Sequence, residues 1–187
     1  MAAAPKHGEA GAELIRDYVE GAIAAAESLE PRLRGFAGEG DDEDVQAAFA
    51  AHADQTRQQC QRLLARLEQL GGRASDPKDV PAQAIEAGSQ IPHEEQIQEE
   101  GTVQHLVAAY GLESGECAVY NVLASIAAAA GDQATEALAR EIQAEKENAA
   151  KKIFGFIRSR SKIAYNMLTP NELDPAIETK AFDSRVV

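Results

Sequence analysis

Four long segments of this chain place apolar residues three and four positions apart, a spacing that admits little besides long amphipathic helices. From Ala12 to Phe36 the stripe is Ile15, Val19, Ala22, Ala26, Leu29, Leu33 and Phe36. From Glu43 to Leu70 it is Val45, Phe49, His52, Thr56, Cys60, Leu63, Leu67 and Leu70, apolar at both ends and polar in the middle. From Thr102 to Ala130 it is Leu106, Tyr110, Glu113, Cys117, Tyr120, Ala124 and Ala127. From Ala134 to Arg158 it is Leu138, Ile142, Glu145, Ala149, Ile153 and Phe156. Helices of this length bury such stripes against one another, so the expected fold is an all-α antiparallel four-helix bundle.

The breaks between segments predict the connectivity. Gly38 to Asp42 reads as a turn, Gly71-Gly72 as a helix stop and Gly131-Asp132 as a tight turn. Arg73 to Gly101 carries Pro77, Pro81 and Pro92 and reads as one long crossover, with a short helix over Val80 to Ala87. A connection of that length lets the third helix start at the far end of the bundle. Pro31 should kink or restart the first helix, because it lacks a backbone N–H and crowds the preceding turn. The expected organisation is a flexible tail over 1–11, the bundle over 12–158 and a C-terminal extension over 159–187. That extension has a short helix at Lys162 to Leu168 and an arm, containing Pro170 and Pro175, that packs on the bundle or on a second subunit.

Composition narrows the function classes. At 187 residues the chain suits one domain with a sizeable core, and 5% aromatic content without Trp argues against a sheet protein. A net charge of −13 argues against nucleic acid and against anionic membranes as partners. The two cysteines, Cys60 and Cys117, fall on apolar helix positions and read as free thiols rather than a disulfide framework. The first residues lack the basic and apolar regions of a signal peptide, and no apolar run reaches membrane-spanning length, so the expected location is the cytoplasm. No nucleophile elbow or phosphate-cradling glycine loop is present.

Chemistry enters through acids on apolar stripes. Glu113 and Glu145 fall on core-facing positions of the third and fourth helices, where a carboxylate is costly unless it is paired, protonated or bound to a cation. Glu116 follows Glu113 by three residues on nearly the same face, and Glu141 precedes Glu145 by four. Carboxylates gathered from facing helices are the ligands of a hard di-iron or di-manganese site. Tyr110 and Tyr120 lie a turn away, placed to donate hydrogen bonds to such ligands. His52 stands in the polar middle of the second helix as a candidate ligand or a hydrogen-bonded core residue. Two other readings stay open. Glu113 pairs with Arg57, Arg62 or Arg66 of the second helix without metal, or the inward face is misplaced by a residue.

The stretches His52–Gly72 (HADQTRQQCQRLLARLEQLGG), Ala109–Asp132 (AYGLESGECAVYNVLASIAAAAGD) and Leu138–Ala149 (LAREIQAEKENA) resemble the ferritin-like proteins of the YciE/YciF type. The resemblance covers roughly Ile15 to Ile157, with the acid-small-Tyr pattern of "ECAVY" and the stretch "RLLARLEQLGG" as its more specific parts. It implies a ferritin-like bundle with one crossover, a stress-linked role and a homo-oligomer, most often a dimer. It also implies iron or manganese as cofactor, with Glu113, Glu116 and Glu145 as inward acids. The first hairpin departs from the pattern: Ile23 or Ala26 stands where an acid is expected, with Glu27 one step off, and Gln55 replaces an acid beside Asp54. Asn148 stands where a ligand His would follow Glu145.

Two functions follow as expectations. One is a metal-binding ferritin-like protein with Fe(II)-oxidising, ferroxidase-like chemistry, its ligands drawn from Glu113, Glu116, Glu145, Glu27, His52 and Asp54. The other is a non-enzymatic helical scaffold, or dimeric stress protein, with a degenerate metal site.

Overall fold

The structure, a computed structural model, describes residues 7–39, 41–73 and 98–169. Among these residues there are four helices and no strand: α1 (His7–Gly38), α2 (Glu43–Gln69), α3 (Gln98–Ala130) and α4 (Gln133–Leu168). The expected short helix at Val80 to Ala87 lies outside the described residues.

α1 packs on α2 and α3 on α4 as two hairpins; α1 also meets α3, and α2 meets α4 with far fewer close approaches. Phe36, near the end of α1, stacks on His105, near the start of α3, with ring centroids 4.4 Å apart. Arg66, near the end of α2, reaches Asp132 at the start of α4. These contacts make both cross-hairpin neighbours antiparallel, as a single long α2–α3 connection requires.

The helix stops behave as glycine chemistry dictates. Gly71 and Gly131 have φ of 76° and 75°, left-handed values that favour glycine. After α2, Gly72 N–H donates to Leu67 C=O and Gly71 N–H to Glu68 C=O, both at 3.0 Å. After α3, Asp132 and Gly131 make the same pair to Ala127 and Ala128, so both helices end in Schellman motifs. Asp42 and Asp132 then cap α2 and α4, accepting from Val45 N–H and Thr135 N–H.

Two boundaries differ from expectation. α1 already begins at His7 and runs through Pro31, which lies on its exposed side, where the carbonyls that Pro31 leaves unbonded can turn to water. α4 does not stop at Arg158 but absorbs the expected short helix and ends at Leu168. No proline or glycine interrupts 156–168, Ala164 is buried, and Arg160 is anchored to Asp42 across the bundle.

The interior has two apolar clusters. One gathers Ile15, Val19, Leu63, Leu67, Leu123 and Ile142 with their neighbours. The other gathers Leu29, Leu33, Phe49, Leu106, Leu112 and Ile153. The buried polar residues His52, Thr56, Gln59, Glu113, Glu116 and Lys146 occupy sequence positions between the members of these clusters on α2, α3 and α4, forming a polar layer in mid-bundle. No described helix is long and apolar enough to cross a membrane.

Candidate functional site

α3 supplies Glu113 and Glu116, one turn apart on its inner face and 0% and 2% exposed. α4 supplies Lys146, 1% exposed. Its ammonium Nζ lies 2.7 Å from Glu116 Oε2 and 3.4 Å from Glu113 Oε2. It also donates to Thr56 Oγ1 of α2 at 3.3 Å. The fully buried residues of α1 among those described are apolar, Ala22, Ile23, Ala26 and Leu29 with them.

The layer is under-bonded. Among the described residues, no oxygen of Glu113 or Glu116 accepts a hydrogen bond of normal geometry, so Lys146 holds them as an ion pair rather than through well-aligned hydrogen bonds. Gln59 Oε1, His52 Nδ1 and the Tyr120 hydroxyl, all buried, have no hydrogen-bond partner among the described residues either. Burial pushes the Glu113 carboxyl up to about 7; Lys146 opposes this and Glu116 adds to it. For Lys146, burial works against the charge, but Glu116 and Glu113 outweigh it and the ammonium titrates above its ordinary value. Burial, reinforced by Glu116 and Glu113, raises the Tyr120 phenol well above its ordinary value. Burial, with Lys152 and Lys146 nearby, lowers His52 to about 4, so its imidazole is neutral at neutral pH.

Glu145 stands one position away from the expected arrangement. The inward stripe of α4 runs Thr135, Ala139, Ile142, Lys146, Ala149 and Ile153, which turns Lys146 to the centre and leaves Glu145 half-buried at the α2–α4 seam. There Glu145 Oε2 accepts from Gln59 Nε2 at 2.8 Å and from Arg62 Nη2 at 2.5 Å. Arg62 also pairs with Glu141 at 3.0 Å. The seam carries a shallow groove lined by Gln55, Gln58, Gln61, Arg62, Ala65 and Glu145.

The remaining candidates are dispersed. Asp54 is half-exposed and paired with Arg34 and Arg57 at 2.8 and 3.0 Å; Arg34 above all holds its carboxyl below the usual range. Glu27 is exposed on α1. His52 is buried on α2 beside the layer. Tyr110 lies at the surface against Phe154, ring centroids 5.3 Å apart, while Tyr120 is fully inward. Cys60 is a buried free thiol, raised to about 11 by burial and by Glu27, and Cys117 is half-buried and free.

The structure thus brings Glu113 and Glu116 together with His52 in the same polar layer, leaves Glu145, Glu27 and Asp54 elsewhere, and adds Lys146, which the sequence reading passed over. Its signal was present: Lys146 follows Ile142 by four and precedes Ala149 by three, the same spacing that marks a core position. Among the described residues, no three His, Cys, Asp or Glu side chains gather in a way that would hold a metal ion. A divalent ion between Glu113 and Glu116 would also have to sit against the buried ammonium, and like charges in a dry interior repel strongly. The residues present therefore do not fit a resident iron or manganese.

The fold has solved relatives. The E. coli stress protein YciF superposes with a TM-score of 0.69 at 19% identity, over 84% of this chain and 99% of that one. A Desulfovibrio desulfuricans bacterioferritin, described for its diiron site, gives 0.66 at 13% identity over 97% and 100%. A dodecameric thioferritin from Bacteroides fragilis gives 0.63 at 18% identity over 84% and 92%. No curated protein matches the chain. Residues 13–164 match the family described as a domain of unknown function, DUF892. That match spans most of the chain, so the protein belongs to the DUF892 family and carries the ferritin-like four-helix bundle, in line with its resemblance to YciE/YciF-type proteins.

Proposed function

We propose that this chain is a non-enzymatic, metal-free ferritin-like scaffold that acts as a homo-oligomeric stress protein of the cytoplasm. The observation that carries this reading is the Lys146 ammonium, 1% exposed and 2.7 Å from Glu116, in the layer where a metal reading needs an open cation position. The clasp of Arg62 on Glu145 supports it, because that acid is already neutralised at the seam. YciF, a stress protein, shares the fold, and the thioferritin that shares it is a dodecamer. Phe154, Tyr165 and Met167 expose 60%, 58% and 54% of their surface along α4, an apolar surface suited to self-association.

The test is iron loading of the purified chain with Fe(II) in air, followed by desalting and elemental analysis. The expected result is no more iron than in the Glu113→Ala, Glu116→Ala double variant, and no acceleration of Fe(II) oxidation. Iron retained in stoichiometric amount, and lost in that double variant, overturns the reading.

A second reading, an iron or manganese site with Fe(II)-oxidising activity, has one specific observation in its favour. The four oxygens of Glu113 and Glu116 accept no hydrogen bond of normal geometry, leaving acceptor capacity for a cation. The same loading experiment decides between the two.

A further inference from the structure

Lys146 joins two carboxylates in a layer almost closed to solvent, and the charge balance there turns on whether Glu113 holds its proton. With both acids ionised, Glu113, Glu116 and Lys146 together leave one uncompensated negative charge at exposures of 0%, 2% and 1%. Thr56 Oγ1 accepts from the ammonium at 3.3 Å, and the carboxylate oxygens, two of them 2.7 and 3.4 Å from it, accept no hydrogen bond of normal geometry among the described residues. Such a set is under-bonded for an ion-pair layer built only for packing. Its chemistry, hard oxygens that carry net negative charge once both acids ionise, matches a small divalent cation.

We infer that the Lys146 ammonium is a tethered cation filling a latent divalent-ion site formed by Glu113 and Glu116, and that its presence keeps metal out. The inference rests on the metal-free reading of the wild-type chain. A tethered ammonium brings one positive charge and three N–H donors, so it compensates one of the two carboxylate charges. A divalent ion would neutralise both carboxylates and use those oxygens as ligands. The side chain of Lys146 is therefore what separates this interior from a metal-binding one. Removing it beyond Cβ vacates both the space and the charge.

Mn2+ is the probe, added as the chloride to the full-length wild type and to Lys146→Ala and Lys146→Glu. Free Mn2+ is read by its EPR signal and folding by circular dichroism. We expect Lys146→Ala to take up about one Mn2+ per chain and to gain melting temperature on its addition. Lys146→Glu, with a third carboxylate, should bind about tenfold tighter or better. The wild type should do neither, and Glu113→Gln with Glu116→Gln should abolish uptake by Lys146→Ala. If Lys146→Ala does not fold alone, it is refolded with and without Mn2+: helicity recovered only with the ion supports the inference. Failure of Mn2+ to restore it, or a folded Lys146→Ala and Lys146→Glu that both ignore Mn2+, overturns it while leaving the wild-type scaffold reading intact. Uptake by the wild type equal to that of Lys146→Ala overturns the metal-free reading itself.

Discussion

Lys146 of α4 reaches across to Glu116 of α3 at 2.7 Å in a layer from which solvent is almost wholly excluded. Glu113, 3.4 Å from the same nitrogen, makes the pair a trio. Stripping one partner from a buried ionic group leaves an unpaired charge, at a cost of about 3–5 kcal/mol, whereas well-packed apolar replacement of the whole group is often neutral or stabilising. We therefore expect Lys146→Ala to lose about 3–5 kcal/mol in urea unfolding at pH 7 without added metal. The Glu113→Leu, Glu116→Met, Lys146→Met combination should fall near wild type. Equal stability of Lys146→Ala and wild type would show that the trio is not electrostatically coupled.

The pH profile of stability should have two opposed limbs. Glu113, raised by burial from 4.5 to about 7, binds its proton more tightly folded than unfolded, so its contribution is present below 4.5 and is lost as pH rises towards 7. His52, lowered by burial from 6.5 to about 4, contributes above 6.5 and loses that contribution as pH falls towards 4. Each limb is worth about 3 kcal/mol, and between pH 4.5 and 6.5 they largely cancel. Unfolding midpoints of the wild type should be nearly flat there. Glu113→Gln should expose the His52 limb, with stability dropping as pH falls, and His52→Gln the opposite slope. A flat profile in both variants would refute this assignment.

Asp132 is held from two sides. It caps α4 through Thr135 N–H and receives Arg66 Nη2 at 2.7 and 2.8 Å on its two oxygens, while Arg66 Nε donates to the buried Thr135 hydroxyl oxygen. Asp42 is its counterpart at the other end of the seam, capping α2 and held by Arg160. The clamps cross reciprocally, each running from the far half of one helix to the cap of the other. Asp132→Ala should cost about 1–2 kcal/mol for the cap alone, and Arg66→Ala should show non-additivity with it in a double-mutant cycle. Strict additivity would mean that the ion pair contributes nothing.

The glycines after α2 should fail for different reasons. At Gly71 an added Cβ meets nothing within 4 Å, but φ is +76°, so Gly71→Ala should cost about 1 kcal/mol from backbone strain. At Gly72 a Cβ would collide with Leu67 Cδ1, and Leu67 is fully buried. Gly72→Ala should therefore disturb core packing and lower the melting temperature more than Gly71→Ala. The reverse order, read by thermal unfolding, would contradict this account.

The sequence by itself determined the four helices, their glycine stops and the antiparallel bundle, because a stripe of spacing three and four is a property of one helix and survives without its neighbours. Val45, Phe49, His52, Thr56, Cys60, Leu63 and Leu67 of α2 are all buried as that spacing requires. Glu113 and Glu116 were legible in the same way. What only the tertiary structure decided is which residue of α4 enters the centre. Glu145 and Lys146 sit about 100° apart around the helix axis, both flanking the arc defined by Ile142, Ala149 and Ile153. The rotation of α4 against α3, set by the packing of Ala139, Ile142 and Ile153 into the two apolar clusters, turns Lys146 inward and leaves Glu145 to Arg62. One helical position thus exchanges a carboxylate for an ammonium at the middle of the bundle, and no single-helix pattern contains that choice.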